Sequence, residues 1–354
     1  FKALGGHPMN RSILYALAAA VLFGASTPLA KVLTGGVPPI LLAGLLYLGS
    51  GLGLTIIRLA RDRGWQAPGL KAAEWPWLLG AIGFGGVLGP VALMVGLTST
   101  TGAAASLLLN LEAVLTALLA WLAFKENTDS RIVLGMAAIV AGGMLLSWPH
   151  GQIGHSTWHG PAAIAAACLC WAIDNNLTRK VSASDALFIA GSKGLAAGVV
   201  NVALALLLGA ALPPAHVALS AMTLGLFGYG ISLVMFVLAL RGLGSSRTGA
   251  YFSTAPFVGA AIALLFLGEQ TSWQFWLAVA LMAVGVWLHL TERHAHEHTH
   301  EVLAHSHRHV HDAHHQHEHD ADWDGSEPHS HPHRHEPITH SHPHYPDIHH
   351  RHRH

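Results

Sequence analysis

Charge is what this sequence has least of. Asp, Glu, Lys and Arg make up 11% of the 354 residues, where an ordinary soluble domain carries about 25%. Apolar residues reach 52%, above the usual share of a soluble domain. The shortage is also uneven. Up to Leu290 there are 14 Lys/Arg and 8 Asp/Glu; beyond it there are 5 Lys/Arg, 11 Asp/Glu and 23 of the 29 His. The formal net charge of zero therefore averages a positive, oily body and a negative, polar tail.

Cysteine is nearly missing. Cys168 and Cys170 lie two apart in an apolar run, and residues two apart on a helix point to different sides. A disulfide or shared metal is not expected, and packing accounts for both. The apolar runs also lack a nucleophile or a catalytic metal motif, so an enzyme is not expected. Nucleic acid is not among the expected partners. The first methionine is Met9, so a natural start there is expected, with the first eight residues an upstream extension. The apolar run after Arg11 exceeds the roughly 7–15 residues of a signal-peptide core and reads as a retained span.

What is abundant is length without charge. A membrane-crossing helix needs about 20 mostly apolar residues. Ten such windows follow one another: 12–33, 39–60, 75–97, 102–123, 131–149, 158–178, 185–209, 216–240, 247–267 and 272–290. The linkers are short and hold no inserted domain. Positive linkers stay cytoplasmic. Here Lys2 and Arg11, then Arg58, Arg61, Arg63 and Lys71, then Lys125 and Arg131, Arg179 and Lys180, and Arg241 and Arg247 fall in alternate linkers. Lys31 is the nearest exception. Both termini are thus expected in the cytoplasm of a bacterial cell whose inner membrane holds the chain, with the bilayer as a partner.

The chain also repeats itself. Shifted by 143 residues, Phe84–Leu145 matches Phe227–Leu288 without a gap at 13 of 62 positions, among them Gly85/Gly228, Leu97/Leu240, Glu126/Glu269, Thr128/Thr271 and Gly142/Gly285. Five spans per unit is an odd number, so the second unit is expected upside down. Inverted repeats let one architecture supply two oppositely open states. The expected fold is therefore an all-α integral membrane protein of ten transmembrane helices as a 5+5 inverted repeat. Its segments are 1–11 before the first span, 12–149 and 158–290 for the repeats, and 291–354 as a disordered tail.

The 5+5 organisation, with Leu122-Ala123-Phe124-Lys125-Glu126 and Leu265-Phe266-Leu267-Gly268-Glu269 closing spans four and nine, resembles the EamA-type permeases of the drug/metabolite transporter superfamily. Gly142 and Gly285 about 16 residues further on, and Pro256 in span nine, are similar to that family as well; the first half departs at Ala113 where Pro256 would stand. The resemblance covers residues 12–290 and implies movement of small metabolites, without naming one.

Charges at membrane depth are costly and mark pathways or pairs. Asn110 and Glu112 lie in span four, Asp174, Asn175 and Asn176 in span six, and Lys193 in span seven. At 1.5 Å per residue, Asp174 and Lys193 sit about 9 and 12 Å from the same end, so they are able to meet. Their plain reading is a structural ion pair, with Asn175 and Asn176 bonding between helices. Glu112 lies about 20 Å deep, where contact with either is not assumed, and is read as a solute or proton group. Asn110, Glu112, Asp174, Asn175 and Lys193 form the expected pathway. Glu126 and Glu269, in tight turns before Thr128 and Thr271, read as caps of the helices that follow them. Gly49/Gly53, Gly85/Gly89 and Gly194/Gly198 are spaced for close helix contact. Gly89-Pro90 and Gly228-Tyr229-Gly230 are expected to break spans three and eight.

The tail alternates His with Asp, Glu, Ser and Pro. Its densest runs hold His305, His307, His309, His311, His314, His315, His317 and His319, then His329, His331, His333 and His335. Imidazole suits borderline metals, so Zn, Ni or Co is expected to bind weakly at interchangeable ligands, and no cofactor is required. His296–His300 matches H-E-x-x-H, a pattern that arises freely in a His/Glu tract and is not read as a protease site. Two transport readings remain open, a small organic solute or a divalent transition metal; a membrane-bound metal sensor is the third. A homodimer is left open.

Overall fold

A computed structural model describes residues 8–124, 130–148, 158–181 and 184–291, with 295–299, 303–309, 329–335 and 339–343 in the tail. The chain divides into two units, Phe1–Glu292 and Arg293–His354.

The described part of the first unit is helical, and each of the ten apolar windows holds helix. The elements are α1 (Pro8–Leu33), α2 (Pro39–Arg61), α3 (Trp75–Ala81), α4 (Gly89–Ser99), α5 (Gly102–Leu108), α6 (Leu111–Phe124), α7 (Ser130–Ser147), α8 (His159–Thr178), α9 (Ala186–Leu207), α10 (Ala215–Gly225), α11 (Ser232–Phe252), α12 (Ala255–Phe266) and α13 (Trp273–Leu290). Among the described residues seven helical stretches are long and apolar enough to cross a membrane, and Ala255–Phe266 and Trp273–Leu288 are shorter apolar helices. Pro39 at the start of α2 fits there because a first-turn residue needs no amide hydrogen.

The expected breaks in spans three and eight are not breaks. Ile82–Leu88 joins α3 to α4, and Leu226–Ile231 joins α10 to α11, each as a π-helical turn. Small residues let the helix widen instead of stopping, and π turns recur at functional sites. The two turns stand at equivalent places in the repeat. The real interruptions are elsewhere: span four stops at Leu109-Asn110 between α5 and α6, and span nine at Ser253-Thr254 between α11 and α12. The expected boundary between windows eight and nine is also displaced, because α11 continues as helix through 241–247.

The repeat is visible in packing. Equivalent helices pair with each other, α2 with α9 and α7 with α13. A Cβ on Gly194 would meet the Gly51 amide nitrogen at 2.6 Å, and one on Gly51 would strike Leu195; Gly51 and Gly194 are 143 apart. A Cβ on Gly142 would meet Met282 and Ala278, at 2.8 and 3.1 Å; one on Gly285 would meet Ile139 and Gly135, at 2.6 and 2.7 Å. These are the same two contacts with the repeats exchanged, and they pair α7 and α13 antiparallel. Thr55 by Gly191 and Leu48 by Gly198 repeat the relation for α2 and α9. Only glycine lets the backbones come this close. The main apolar core gathers residues of α2, α4 and α8, including Leu41, Leu42, Leu46, Met94, Leu97, Ile164 and Trp171.

In the second unit the described residues are extended. Four short strands, β1 (Ala295–Thr299), β2 (Leu303–His309), β3 (His329–His335) and β4 (Thr339–Pro343), pair antiparallel as β1–β4 and β2–β3. Histidine at every second position is a period-two pattern, which matches an extended strand. His311, His314, His315, His317 and His319 lie outside the described residues.

Candidate functional site

The interruption of span four positions the site. Leaving the α-helix after Leu108 costs backbone hydrogen bonds. Tighter ones replace them: the Asn110 amide donates to Leu107 O (3.0 Å) and the Glu112 amide to Leu109 O (3.0 Å). The Asn110 side chain, 5% exposed, donates to Leu107 O at 2.9 Å and approaches the Met282 sulfur at 3.9 Å. Asn110 therefore holds the interruption together against α13. Glu112 begins α6 in its first turn, where the helix dipole favours a carboxylate.

Glu112 is not isolated. Its Oε1 accepts a hydrogen bond from Asn175 Nδ2 at 2.9 Å, across α6 and α8. One helical step away, Asp174 is 5% exposed and is bonded on both oxygens. Lys193 of α9 donates to Oδ2, and Thr178 donates to Oδ1 at 2.9 Å. Asp174 and Lys193 thus meet. Asn176 does not bond between helices as expected; it donates back to Ala172 O in its own helix, at 2.9 Å.

Sequence reading missed the wall opposite. At the π turn of 82–88 the Gly89 amide donates to Phe84 O and Pro90 has no amide hydrogen to offer, so the Gly85 carbonyl is open to side chains, and two use it. Tyr47 donates from its hydroxyl at 2.9 Å and Trp171 from its indole at 3.0 Å. A side chain at Gly85 would collide with Asp174, so the small residue admits the carboxylate. Tyr47 faces Tyr229 of the second π turn, ring centres 5.5 Å apart, and Tyr229 meets Phe23 at 6.1 Å. The site therefore has an acid–amide side and an aromatic side. The available signal was positional: Phe84-Gly85-Gly86 and Phe227-Gly228-Tyr229 occupy the same place in each repeat.

Two further clusters mark the ends of the bundle. Glu269 does cap a helix, but not the one that follows it. Its carboxylate accepts from the Gly102 and Ala103 amides at 2.7 and 2.8 Å, which start α5 in the other repeat. Thr101 accepts from Ala104 N at 3.2 Å, completing the cap. Ser272, before α13, makes no side-chain cap bond. The chain turn brings Glu269 to α5 because α12 packs on α5. Glu126 lies outside the described residues. Toward the far end of α2, Arg58 is 4% exposed and donates to Asp185 (3.0 Å) and Gln66 O (2.8 Å). Arg61 also donates to Asp185, at 2.6 Å, and Arg58 lies over the Trp65 and Phe188 rings. Asp185 caps α9 through the Leu187 amide at 3.0 Å. Burial raises the Asp185 carboxyl, but hydrogen bonds from Arg61, Arg58 and that amide outweigh it and hold the group below its ordinary value.

Known proteins agree with this architecture. The EamA-like transporter family pattern matches residues 10–148 and again 158–291, once per repeat. An uncharacterized transporter of Methanothermobacter thermautotrophicus is 27% identical over 288 residues, covering 77% of this chain and 84% of that one. A crystal structure with 22% identity superposes with a TM-score of 0.59 over 78% of this chain and 95% of that one, a likeness of fold. These similarities point to transport rather than catalysis. With both halves matched and the helices apolar enough to lie in a bilayer, the chain belongs to the EamA-like transporter family and is a multi-pass membrane protein.

Proposed function

We propose that the protein is a secondary transporter of a small organic solute. Ten spans, arranged as two inverted five-helix units over 12–149 and 158–290, work by alternating access, with Glu112 as the solute- and proton-binding group. The observation that carries this reading is the difference between the two acids. Asp174 has its charge matched by Lys193, whereas Glu112 is bonded to a neutral amide. A carboxylate held that way at the start of a half-helix is able to take a proton or a cationic group in exchange. The neighbouring Tyr47, Trp171 and Tyr229 suit an organic body better than a bare ion. A divalent metal route is less well served, since Lys193 occupies Asp174 and places a positive charge beside the site. Distribution of Lys and Arg supports an inner-membrane protein with both termini cytoplasmic.

Glu269 supplies a way to alternate. It ties the turn after α12 to the start of α5, while the equivalent stretch of the other repeat, Ser245-Ser246, lies inside the continuous α11. In the opposite state the roles exchange: Glu269 lets go, α11 breaks near Ser245, and Glu126 caps the new helix start.

The test is transport by the purified chain in proteoliposomes with a pH-sensitive dye inside, screened against pools of metabolites. A solute that moves protons only with the intact protein, and not with Glu112→Gln, supports the reading. Uptake of Ni²⁺, Co²⁺ or Zn²⁺ instead, lost in the same variant, would replace it with metal transport. The tail is proposed to bind these ions outside the pathway, so truncation after Leu290 is expected to leave solute transport intact.

A further inference from the structure

A surface depression of about 290 Å³ lies where the two repeats meet, and it shares no residue with the Glu112 site. The linker from α4 to α5 contributes Thr100 and Thr101; the linker from α12 to α13 contributes Gln270 and Thr271. Phe275 of α13, which is buried, adds an apolar wall. Trp148, just after α7, and Trp158, just before α8, line it as well and are 72% and 60% exposed.

The chemistry of this lining is narrow. No Asp, Glu, Lys, Arg or His is among the described residues that form it, so it offers nothing to balance an ion. The nearby carboxylate of Glu269 is already taken up by the Gly102 and Ala103 amides. The polar groups are hydroxyls and a side-chain amide, which both donate and accept. They complement a ligand whose own groups do the same. Gln270 and Thr271 are exposed, and among the described residues their side chains have no hydrogen-bond partner. Thr100 is 8% exposed; its hydroxyl lies against Gly160 and has no partner among the described residues, a state that few buried polar groups tolerate. The two indoles supply broad apolar faces. A tryptophan also anchors a helix end at the membrane surface, but anchoring does not require two of them beside a polar depression. The volume equals that of about ten waters at roughly 30 Å³ each, room for a single sugar ring with its hydroxyls.

We propose that this depression binds an uncharged, polyhydroxylated ligand, a sugar or a polyol. The apolar C–H face of the ligand rests on the indoles of Trp148 and Trp158, and its hydroxyls meet Thr100, Thr101, Gln270 and Thr271. A charged analogue of the same ring is disfavoured, because its charge loses water without gaining a partner. A free sugar and the glycosyl headgroup of a lipid carry the same chemistry. The bound ligand touches both repeats, at the junction that Glu269 also ties. The site stands whichever solute the body transports.

The test uses the full-length protein in an amine-oxide detergent, which has no sugar headgroup, with Ala104→Cys in a Cys170→Ser background. Ala104 lines the depression, so an occupant should shield the new thiol from a maleimide. Glucose and myo-inositol are expected to slow labelling along a one-site saturation curve, about tenfold at roughly nine times the half-effect concentration. Glucosamine and glucuronate are expected to give no protection. Trp148→Ala with Trp158→Ala should remove the protection and leave the unfolding temperature unchanged, since both indoles are largely exposed. Saturation-transfer NMR reads the same binding without the cysteine, as signals on the glucose ring protons that the double indole variant loses. Repeating the labelling in nanodiscs with and without a glucosyl diacylglycerol identifies the source: protection by free glucose assigns a soluble ligand, and protection by the lipid alone assigns its headgroup. Neither protection nor a transfer signal, charged sugars that protect as well as glucose, or protection that survives loss of both indoles would each overturn the proposal.

Discussion

Glu112 and Asp174 are both acids at membrane depth, and their partners separate their roles. Asp174 is neutralised by Lys193, so removing one member strands the other. Asp174→Asn leaves the part-buried Lys193 charge uncompensated, for which breaking a buried pair typically costs about 3–5 kcal/mol. The expected outcome is a marked fall in the unfolding temperature in detergent. Asp174→Asn with Lys193→Met should recover most of it; equal destabilisation of single and double variants would count against a structural pair. For Glu112→Gln the expectation is reversed: stability near that of the parent, and transport reduced roughly 10–100-fold. That range follows from the loss of one charged contact, worth about 1.5–3 kcal/mol. Asn175→Ala should weaken transport in the same direction but less. The intramembrane acids were legible from the sequence as costly residues. Their partners were not, because the interruption of span four, which sets the direction of Glu112, has no glycine or proline at Leu109-Asn110 to announce it.

Two helix starts carry predictions of their own. Glu269 satisfies two amides at the start of α5, and losing a cap costs about 0.5–2 kcal/mol. Glu269→Ala should therefore loosen this end of the bundle. A cysteine placed at Ala104, beside Gln270 in the same surface depression, should react faster with an impermeant maleimide in that variant, with Cys170→Ser as the background. Unchanged reactivity would remove Glu269 from the gating account. Asp185 caps α9 and binds Arg58 and Arg61. Its carboxyl is held below the ordinary value of about 3.9, so the folded state gains stability above that value and loses it as pH falls through the lower, folded value. The unfolding temperature should drop as pH is taken below about 4, and the drop should be smaller in Asp185→Asn. Capping by Glu269 was foreseen and its target was not. A carboxylate in a turn suits any nearby helix start, and only the packing of α12 on α5 selects one.

At the scale of the whole molecule, the two units obey different chemistry. Truncation after Leu290 should leave the helical content and unfolding temperature of the first unit unchanged; a large loss of stability would mean that the tail supports the body. What the sequence determined by itself is the class of solvent, the apolar windows, the repeat and the family. Each depends on composition or on spacing along the chain, and bilayer insertion reads those quantities directly. Tertiary structure decided the rest: which acid is neutralised, which helix Glu269 caps, and that Gly85 admits Asp174. These are contacts between residues tens to more than a hundred positions apart, and helix directions and interruptions place them, neither of which hydropathy encodes.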